Sequence, residues 1–404
     1  MKVLHVLYQS LPTKVGATIR SRDILLSQKS AGIDVIAVTS PFQYGLTNEN
    51  LYDEINGIKY YRSFFKTRHN EAVDENQKSV FILFKKLYRI FSFIRIIYKL
   101  AKNEKVDVIH AHSTFFCGIS SWIVCCLLNK IYVYEVRSLW EEYRKVVSKN
   151  FRAKLESNII HYIESFTIKR AKHVVVISEE LRENLLKRGA KDNKISIIGN
   201  AVNINLANNT KRIEEKNEYL TLAYIGSVVK IEGLELLIQV MKELMHLKII
   251  LKIYGKGPLL LDFEKTIKNQ EISNVIIMGE VEQEQLPEVF SQLDVIINPR
   301  TKTKITDEVT PLKPLEAMAY KKLVIASDVG GIKEIITDKY NGLLFKADDK
   351  ESMKLLIQQV YDNGIDHYSN IIANAMDYVK KHRSWDTNAL KYKAIYNKLL
   401  DKNL

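Results

Sequence analysis

Short runs of consecutive apolar residues alternate along the first half of the chain with longer segments in which apolar positions recur every three or four residues. The short runs predict β-strands at residues 3–8, 34–39, 58–62, 106–111, 131–136 and 173–177. The longer segments, such as 19–31, predict helices. Strands separated by helices predict a parallel sheet with both faces covered, and therefore the α/β class.

The same pattern begins again after a polar stretch at residues 203–218. The second series of strands is predicted at 220–225, 249–254, 275–278, 294–298, 323–327 and 342–345. Most of these runs end at a glycine or a small polar residue, where a ligand can approach the backbone. We therefore expect an N-terminal domain over 1–200 and a C-terminal domain over 201–385. A last helix within 386–404 is expected to return to the first domain.

Charge and cysteine content restrict the classes of partner and compartment. The net charge of +13 favours anionic partners, namely nucleic acid, nucleotide phosphates or an acidic membrane surface. The three cysteines form no CxxC pair, so neither a disulfide framework nor a zinc site is expected. The apolar run at 119–128 is about half as long as a membrane span requires. A cytoplasmic protein is expected, peripheral on the inner face of the cell membrane where it meets lipid.

The segment NPRTKTKITDEVTPLKPLEAM at 298–318 holds the most informative chemistry. Its first part carries three basic residues, Arg300, Lys302 and Lys304. Pro314 then suits the first turn of a helix, and a helix start beside a basic loop favours a diphosphate. Glu316 is placed to meet ribose hydroxyls and Glu308 to meet sugar hydroxyls. Ordinary helix capping by the glutamate and a solvated lysine loop remain the alternative.

The spacing of Glu308 and Glu316, with seven residues between them, resembles the E-x7-E motif of retaining glycosyltransferases of family 4. The resemblance continues through PLEAMAYKKLVIASDVGGIKEII, YNGLLF, IYGKGP, VIIMGEVEQEQLPEVFSQLDVIINP and IIGNAVN. In the N-terminal half, MKVLHVLYQSLPTKVGATIRSRDILLSQKSAGIDVIAVTS, DVIHAHS and VYEVRSLWEE are similar to the same family. The occurrence of both VTPLKPLEAMA and EVRSLWEE in one sequence especially resembles enzymes of bacterial exopolysaccharide and capsule gene clusters. The resemblance covers nearly the whole chain.

This resemblance implies a GT-B fold, in which two Rossmann-like parallel-sheet domains face a cleft. It implies retaining transfer of a sugar from a nucleoside-diphosphate sugar to a hydroxyl of a glycan or lipid-linked acceptor, in bacterial cell-surface polysaccharide biosynthesis. No Asp-x-Asp pair occurs in the sequence, so no metal and no other cofactor is expected.

The resemblance also assigns roles to particular residues. Glu308 and His112 would lie at the transferred sugar, as the catalytic pair. Gly16 would let the backbone approach the diphosphate. The remaining donor-binding candidates are Lys230, Gly279, Glu280, Val281, Arg300, Lys302, Lys304, Lys313, Pro314, Leu315 and Glu316. Among these, Gly279 to Val281 would lie beside the nucleobase and Glu316 would bind the ribose.

One segment departs from the family pattern. The family has an arginine and a lysine after the first strand of the C-terminal domain, and both bind the phosphates. Here the segment reads IGSVVKIEGLELL, with Ser227 at the arginine position and Glu232 at the lysine position. Lys230 is displaced by two positions. We expect Arg300, Lys302, Lys304 and Lys313 to share the phosphate role instead.

Two alternating pairs mark the N-terminal half. His110 and His112 point the same way on a strand, and ordinary buried, hydrogen-bonded histidines are the alternative for one or both of them. Glu135 and Arg137 alternate likewise. They form either an ion pair at the end of the strand or a pair that positions the acceptor, and we favour the acceptor role. Gly16 has a turn glycine as its alternative.

Residues 80–105 mix Phe, Ile and Leu with seven Lys or Arg residues and predict a basic amphipathic helix. Such a helix either contacts an anionic membrane surface or covers the N-terminal sheet, and the two roles are compatible. A nucleotide-sugar epimerase of similar two-domain form is a second reading of the whole chain. A nucleic-acid-binding protein is a third, which the placement of the aromatics in apolar runs disfavours. Nucleic acid is therefore not an expected partner.

Overall fold

The computed structural model describes residues 1–13, 15–43, 51–63, 80–138, 151–204 and 218–402. The chain divides into two compact units. The first unit contains Met1–Gly199 together with Trp385–Leu404, and the second contains Asn200–Ser384. The last helix therefore belongs to the unit that contains the N-terminus.

The first unit is built on an eight-stranded sheet with the order β3-β4-β2-β1-β5-β6-β7-β8. Its strands are β1 Lys2–Leu7, β2 Asp34–Thr39, β3 Tyr52–Ile55, β4 Ile58–Arg62, β5 Val108–His112, β6 Ile131–Val136, β7 His173–Val176 and β8 Ile195–Ile197. All neighbouring strands are parallel except the β3–β4 hairpin. The interior strands are buried along their length, as expected of a sheet covered on both faces.

Helices cover both faces of this sheet. The described helices of the first unit are α1 Gly16–Ser30, α2 Val80–Asn103, α3 Phe115–Leu128, α4 Phe151–Arg170, α5 Glu179–Lys187 and α14 Trp385–Asp401. α3 packs between α2 and α4, whereas α1 packs against α14. The two groups of helices lie on opposite faces of the sheet. Crossovers are right-handed, so the face that a helix covers depends on the direction in which the chain moves across the sheet, and this direction reverses after β4.

The second unit contains a six-stranded parallel sheet with the order β11-β10-β9-β12-β13-β14. Its strands are β9 Leu220–Ile225, β10 Ile249–Tyr254, β11 Val275–Gly279, β12 Val295–Asn298, β13 Leu323–Ser327 and β14 Leu343–Phe345. Its helices are α6 Leu234–Glu243, α7 Leu260–Asn269, α8 Leu286–Ser291, α9 Lys304–Glu308, α10 Lys313–Ala319, α11 Gly330–Lys333, α12 Lys350–Asn363 and α13 Ser369–His382. Two clusters of buried apolar side chains form its cores.

Several boundaries differ from those that the sequence predicts. α1 begins at Gly16 rather than at residue 19, because the N-terminal turn carries small and polar residues that an apolar period does not mark. Two strands were not predicted. β3 is an exposed edge strand with alternating burial, and β8 has only three residues. Among the helices that the structure describes, none combines the length and the apolar character needed to cross a bilayer.

Candidate active site

The loops that follow β9 and β12 touch each other in the second unit. β9 and β12 are neighbouring parallel strands, so their carboxyl ends lie at the same edge of the sheet. Gly233, with φ of 71°, ends the loop after β9, and a Cβ there would lie 1.9 Å from the carbonyl oxygen of Pro299. The Thr301 amide donates a 3.0 Å hydrogen bond to the carbonyl of Ile231. The glycine therefore permits the two loops to join.

Four side chains from β9, from these loops and from α10 form a group that we call the Glu232 cluster: Tyr224, Glu232 and Arg300, which are buried, and Lys313, which is half-buried. The Lys313 Nζ lies 2.9 Å from the Glu232 Oε2, and the Arg300 Nε lies 3.8 Å from the Glu232 Oε1. The same Nζ donates a 2.5 Å hydrogen bond to the Tyr224 hydroxyl and lies 4.4 Å from the centre of that ring. Two cations thus share one carboxylate.

Burial and the charges within the cluster have opposite effects on the pKa values of its members. Burial by itself would raise the pKa of the Glu232 carboxyl, but Lys313 and Arg300 outweigh it and lower the pKa below its usual value. Burial lowers the pKa of Lys313, and Glu232 opposes that shift. Burial lowers the pKa of Arg300 as well. With all three groups ionised, the cluster carries a net charge of +1, which suits an anionic ligand.

Arg300 has hydrogen-bonding capacity left over. One of its terminal nitrogens, Nη1, donates a 3.0 Å hydrogen bond to the carbonyl of Val309. Its buried Nε makes no hydrogen bond to any of the described residues. A buried guanidinium donor without an acceptor is costly, so an anion that reached this edge of the cluster would supply the missing partner.

Glu308 stands at the end of the short helix α9. Thr303 caps this helix by accepting a hydrogen bond from the amide of Thr306 at 3.2 Å. The Glu308 side chain is only 4% exposed, and its Oε1 lies 3.9 Å from the Lys304 Nζ. A carboxylate held this firmly on a capped helix has a defined position.

Two glycines bring α11 against α9. The Gly330 amide donates a 2.7 Å hydrogen bond to the Asp307 carboxylate. A Cβ at Gly331 would lie 2.3 Å from the carbonyl oxygen of Val309. Only residues without a side chain allow this approach, so the DVGG segment fixes the helix that carries Glu308.

The helix that carries Glu316 begins as the sequence predicts. Pro314 lies in the first turn of α10, where its missing amide is tolerated. Pro314 and Leu315 are buried, and Glu316 is half-buried. α10 has only seven residues, so the cations of the Glu232 cluster are a stronger attraction for an anion than the helix dipole.

The remaining donor-binding candidates lie apart from this cluster or on the surface. Lys230, Lys302 and Lys304 are exposed. Glu280 is exposed and pairs with Lys256 at 2.7 Å. Gly279, with φ of 79°, ends the edge strand β11, and Val281 packs against one of the cores. The structure therefore unites Arg300 and Lys313, and it places residues 279–281 at the far edge of the same sheet.

A second polar group lies in the first unit, on the sheet face that α1 and α14 cover. β5 pairs with β1 so that His110 lies beside His5, and it pairs with β6 so that His112 lies beside Glu135. Alternation along each strand therefore points all four side chains, and Arg137 after β6, towards one face. The helices supply four further polar side chains, Arg20, Gln28, Tyr392 and Tyr396.

The hydrogen bonds of this group run in one direction. Arg137 can only donate, so His112 accepts at Nδ1 (2.5 Å) and carries its proton on Nε2. That proton is donated to the His5 Nδ1 at 2.8 Å, and His5 Nε2 donates to the Gln28 Oε1 at 3.1 Å. The Gln28 amide then donates to the Tyr396 hydroxyl at 3.2 Å.

This series of hydrogen bonds ends beside a carboxylate. The Tyr396 hydroxyl donates a 2.6 Å hydrogen bond to His110 Nδ1, which leaves the proton of His110 on Nε2. This Nε2 lies 3.7 Å from the Glu135 Oε2. Glu135 also accepts from Arg137 at 2.7 Å and from Tyr392 at 2.6 Å. We call the residues from Arg137 round to Glu135 the histidine chain.

Burial keeps the three histidines neutral. Burial, followed by the charge of Arg137, lowers the pKa of His112 to about 4. Burial lowers the pKa values of His5 and His110 well below the usual range, with His112 as the next cause. Burial alone would raise the pKa of Glu135, but Arg137 and Arg20 hold it well below its usual range.

The histidines also have the spacing of a metal site. One ring nitrogen from each of His5, His110 and His112 lies within 4.8 Å of the others. A metal ligand needs a free lone pair directed at the ion, however, and His112 Nδ1 and His5 Nδ1 already accept hydrogen bonds. The donor set therefore fits a hydrogen-bonded core better than a metal.

These contacts change the interpretation of four predicted residues. Glu135 and Arg137 form the buried ion pair that was the alternative reading, and Glu135 is fully buried. Burial disfavours the direct acceptor contact that we expected for Glu135. The His112 ring is likewise enclosed, with 3% of the side chain exposed. Gly16 is not a positive-φ turn glycine. It is the exposed first residue of α1, and a Cβ there would meet no atom within 4 Å.

Sequence reasoning missed several members of both groups. Tyr224 and Gln28 carry no motif, and Tyr392 and Tyr396 lie in a helix far along the chain. His5 offered a usable signal, because it belongs to the strand next to that of His110 and His112. Glu232 was noticed only as a departure from the family pattern. Position 232 carries a glutamate where the family has a lysine, and the structure places another lysine, Lys313, beside that glutamate.

Two family models match consecutive parts of the chain. The model described as Glycosyltransferase Family 4 matches residues 16–206, and that described as Glycosyl transferases group 1 matches residues 207–378. The chain belongs to these glycosyltransferases. The resemblance that the motifs carry is thereby confirmed, and so is transferase activity as the class of function.

Relatives and solved structures agree with this assignment. The glycosyltransferase is 23% identical to an uncharacterised glycosyltransferase of Methanocaldococcus jannaschii, over 89% of this chain and 96% of that protein. It is 25% identical to a 41.2 kDa protein in the cps region of Klebsiella pneumoniae, over 69% and 75%. An Anabaena protein solved in complex with UDP-glucose superposes with a TM-score of 0.73 at 15% identity, over 98% and 100%. The expected GT-B fold is confirmed.

Proposed function

We propose that this glycosyltransferase moves a sugar from a nucleoside-diphosphate sugar to a hydroxyl of a glycan or lipid-linked acceptor, with retention of anomeric configuration. Acceptor oxygen forms a bond to the anomeric carbon, whose bond to the β-phosphate oxygen breaks. The nucleoside diphosphate leaves with the electron pair, and the acceptor loses its proton. Because negative charge grows on the leaving diphosphate, the protein must supply fixed positive charge there.

The Glu232 cluster is the observation that carries this proposal. Arg300 is buried and Lys313 half-buried, both cations are held on one carboxylate, and the Arg300 Nε lacks an acceptor among the described residues. We assign the diphosphate to these two residues, with Glu232 as the residue that positions them. The exposed Lys230, Lys302 and Lys304 supply additional attraction at longer range.

The two glutamates take the hydroxyl groups of the donor. Glu308 is assigned to the transferred sugar, and its capped helix and close packing against Gly331 support a fixed position. Glu316, eight residues later in α10 and half-buried, is assigned to the ribose, beside Pro314 and Leu315. Residues 279–281 are assigned to the nucleobase. No metal or other cofactor is required in this proposal, because protein cations take the diphosphate.

The N-terminal candidates act less directly in this proposal. His112 and Arg137 are assigned a positioning role, since their side chains are committed to the histidine chain. Gly16, exposed at the first turn of α1, remains the candidate for close backbone approach to the donor. The acceptor is assigned to the first unit, with Glu135 acting through Arg137 rather than by contact.

We further propose a role in bacterial cell-surface polysaccharide biosynthesis, on the cytoplasmic side of the membrane. The cps-region relative from Klebsiella supports a polysaccharide product. A lipid-linked acceptor would make membrane contact useful, and the basic helix α2 is the candidate for that contact. Nucleic acid is not proposed as a partner.

A thermal-shift panel of UDP, GDP, ADP and their sugars tests the donor class directly. A nucleotide that binds only the folded protein must raise the melting temperature, by an amount that grows with its concentration. We expect one base to stabilise the protein, and its nucleotide sugars to be hydrolysed or transferred when a lipid-linked or glycan acceptor is added. No stabilisation by any nucleotide would contradict the proposal.

Two glutamine variants separate the roles of the glutamates. Glu308→Gln should abolish turnover and keep nucleoside-diphosphate binding, because its assigned contact is the sugar. Glu316→Gln should weaken the binding of the nucleotide with and without its sugar, because its assigned contact is the ribose. Full activity of Glu308→Gln would show that the assignment is wrong. Far-UV circular dichroism of each variant confirms that the fold is intact.

A nucleotide-sugar epimerase is not favoured, because the matching family models and the named relatives are glycosyltransferases. The same panel distinguishes the two activities. An epimerase would convert the donor sugar without an acceptor, whereas the proposed enzyme needs an acceptor for a glycosylated product to appear.

A further inference from the structure

Three helices of the first unit lie side by side on one face of its sheet. α3 packs between α2 and α4, and the Trp122 ring of α3 meets the Phe166 ring of α4 edge-on at 4.9 Å. On the inner side, Phe93 of α2 stacks on Phe116 of α3 at 5.3 Å. The outer surfaces of the three helices therefore form one continuous area, which we call the three-helix face.

The central helix of this face is apolar on both sides. α3 contains no charged residue. Its inner side is buried in the core, as expected, but its outer side is apolar too: Leu127 is 65% exposed, and Trp122 and Ile123 are only half-buried. A helix that covers a sheet of a soluble protein normally presents polar residues to water. An outer surface of this kind indicates a partner.

The flanking helices extend the apolar area with aromatic side chains. On α2, Tyr88 and Phe91 are 67% and 68% exposed. On α4, Ile159 and Tyr162 are 51% and 74% exposed, and Phe166 is 37% exposed. These side chains lie one helical turn apart along each helix, so they form stripes beside α3 rather than scattered contacts.

The charge on this face has one sign. The exposed positions that continue the two stripes are basic: Arg95, Lys99 and Lys102 on α2, and Lys169 and Arg170 on α4. Arg170 lies over the rings of both Trp122 and Phe166, at 6.0 and 5.2 Å from their centres. Among the side chains described on these three helices, the only carboxylate is Glu164. It is buried and accepts a 2.6 Å hydrogen bond from Tyr134.

We infer that the three-helix face binds an anionic membrane surface, with α3 at its centre. Leu127 and the exposed aromatic residues enter the boundary between head groups and acyl chains, where Trp and Tyr rings are favoured. The basic residues lie against lipid phosphates, and no exposed carboxylate opposes them among the described side chains of the three helices. This deepens the membrane contact proposed for α2, because it adds α3 and α4 and gives the surface an apolar centre.

A lipid surface fits better than a protein partner because the exposed charged side chains described on this face are all cationic and no described acidic group there would specify a protein. A protein partner or a second copy of this chain would instead require a patterned surface. A second copy would in addition place like charges against each other. Both alternatives are outcomes of the experiment below.

Sedimentation with vesicles tests the inference on the whole chain. Vesicles of phosphatidylglycerol mixed with phosphatidylcholine should bind the protein, and pure phosphatidylcholine vesicles should bind it much more weakly. Leu127→Glu should lower the partition coefficient by about tenfold, because the free energy of burying one leucine side chain is lost. Lys99→Glu should reduce binding to the anionic vesicles and make binding depend less steeply on the fraction of anionic lipid.

Leu390→Glu is the matched control. Leu390 is 63% exposed on α14, which covers the opposite face of the same sheet, so this variant should bind vesicles like the wild type. Equal loss of binding in both leucine variants, or no binding to anionic vesicles, would overturn the inference. So would a dimer that Leu127→Glu converts to a monomer in light scattering while vesicle binding persists. Nucleotide stabilisation in the thermal-shift panel should be unchanged in every variant, so failure here is distinct from failure of the proposed donor site.

Discussion

At the scale of single residues, Glu232 and Lys313 show how a departure from a sequence pattern can be matched by a residue from another element. The sequence alone shows an acidic residue where a phosphate-binding lysine is expected. In the structure that residue holds the Lys313 Nζ at 2.9 Å, and a Cβ at Gly226 would lie 2.2 Å from the Cε of the same lysine. A cation therefore still lies beside the loop after β9, but it comes from α10.

A double-mutant cycle tests this exchange. Glu232→Gln leaves the buried Arg300 and the half-buried Lys313 without a carboxylate, and we expect it to lower the free energy of unfolding of the second unit by about 3 kcal/mol. The combined Glu232→Gln and Lys313→Met variant removes one charge of each sign and should recover most of that loss. Urea unfolding measured by circular dichroism provides the values. Simple additivity of the two single changes would refute the coupling.

Nucleotide binding in the same variants separates stability from function. Lys313→Met should weaken the stabilisation by a nucleoside diphosphate even where the variant folds well, because a diphosphate contact is lost. Lys350→Met is a suitable control, since Lys350 pairs with Glu243 on the surface of the same unit. Equal nucleotide affinity in Lys313→Met and Lys350→Met would remove Lys313 from the diphosphate site.

At the scale of elements, the packing of α11 against α9 fixes Glu308. Replacing Gly331 with alanine puts a Cβ 2.3 Å from the carbonyl oxygen of Val309, a backbone atom that cannot move alone. We expect a loss of about 1–3 kcal/mol in the free energy of unfolding and a fall in turnover larger than the fall in nucleotide binding. Gly16→Ala is the stability control, because a Cβ there meets no atom within 4 Å. A Gly331→Ala variant with normal turnover would show that Glu308 does not depend on this contact.

The strands of the parallel sheets can be predicted from local sequence, whereas the side-chain contacts of the candidate site cannot. Most of the predicted strands agree with the structure to within two residues, because buried parallel strands are short runs of apolar residues. The edge strand β3 is half exposed and antiparallel, so it lacks that signature. The turn at Pro314 was predictable for a similar reason, since proline at a helix start is a local preference.

At the scale of the whole first unit, the histidine chain depends on contacts between distant parts of the sequence. His5 and Tyr396 both belong to it, and no motif links them because they are separated by almost the full length of the chain. Strand parity predicts that His110 and His112 share a face, and nothing local predicts which helix covers that face. The sequence therefore identifies strand residues of this core and misses the helix residues that complete it.

Three neutral histidines in one core make the stability of the first unit depend on pH in a defined direction. Their folded pKa values are depressed, to about 4 for His112 and well below the usual range for His5 and His110. Below a pKa of about 6.5 the unfolded chain binds protons that the folded chain does not, so stability falls as pH falls through that value. Lowering the pH from 7.5 to 5.5 should cost about 1.4 kcal/mol for each histidine.

Tryptophan fluorescence is the appropriate probe, because Trp122 and Trp385 belong to the first unit and the sequence of the second unit, residues 200–384, contains no tryptophan. Urea unfolding at constant ionic strength should show stability declining by about 5 kcal/mol between pH 7.5 and 5.5, because burial also lowers the pKa of His173, in the same unit, to about 4 and adds a fourth contribution of this size. The depressed pKa of Glu135 also lowers stability on acidification, but only as the pH falls into or below the usual pKa range of a carboxyl. It therefore does not contribute between pH 7.5 and 5.5. Replacing the exposed His246 of the second unit with glutamine should leave the slope unchanged. Stability that stayed constant or rose on acidification would mean that these histidines are protonated in the folded protein, and His112 and His5 could then not accept hydrogen bonds at Nδ1 as assigned here.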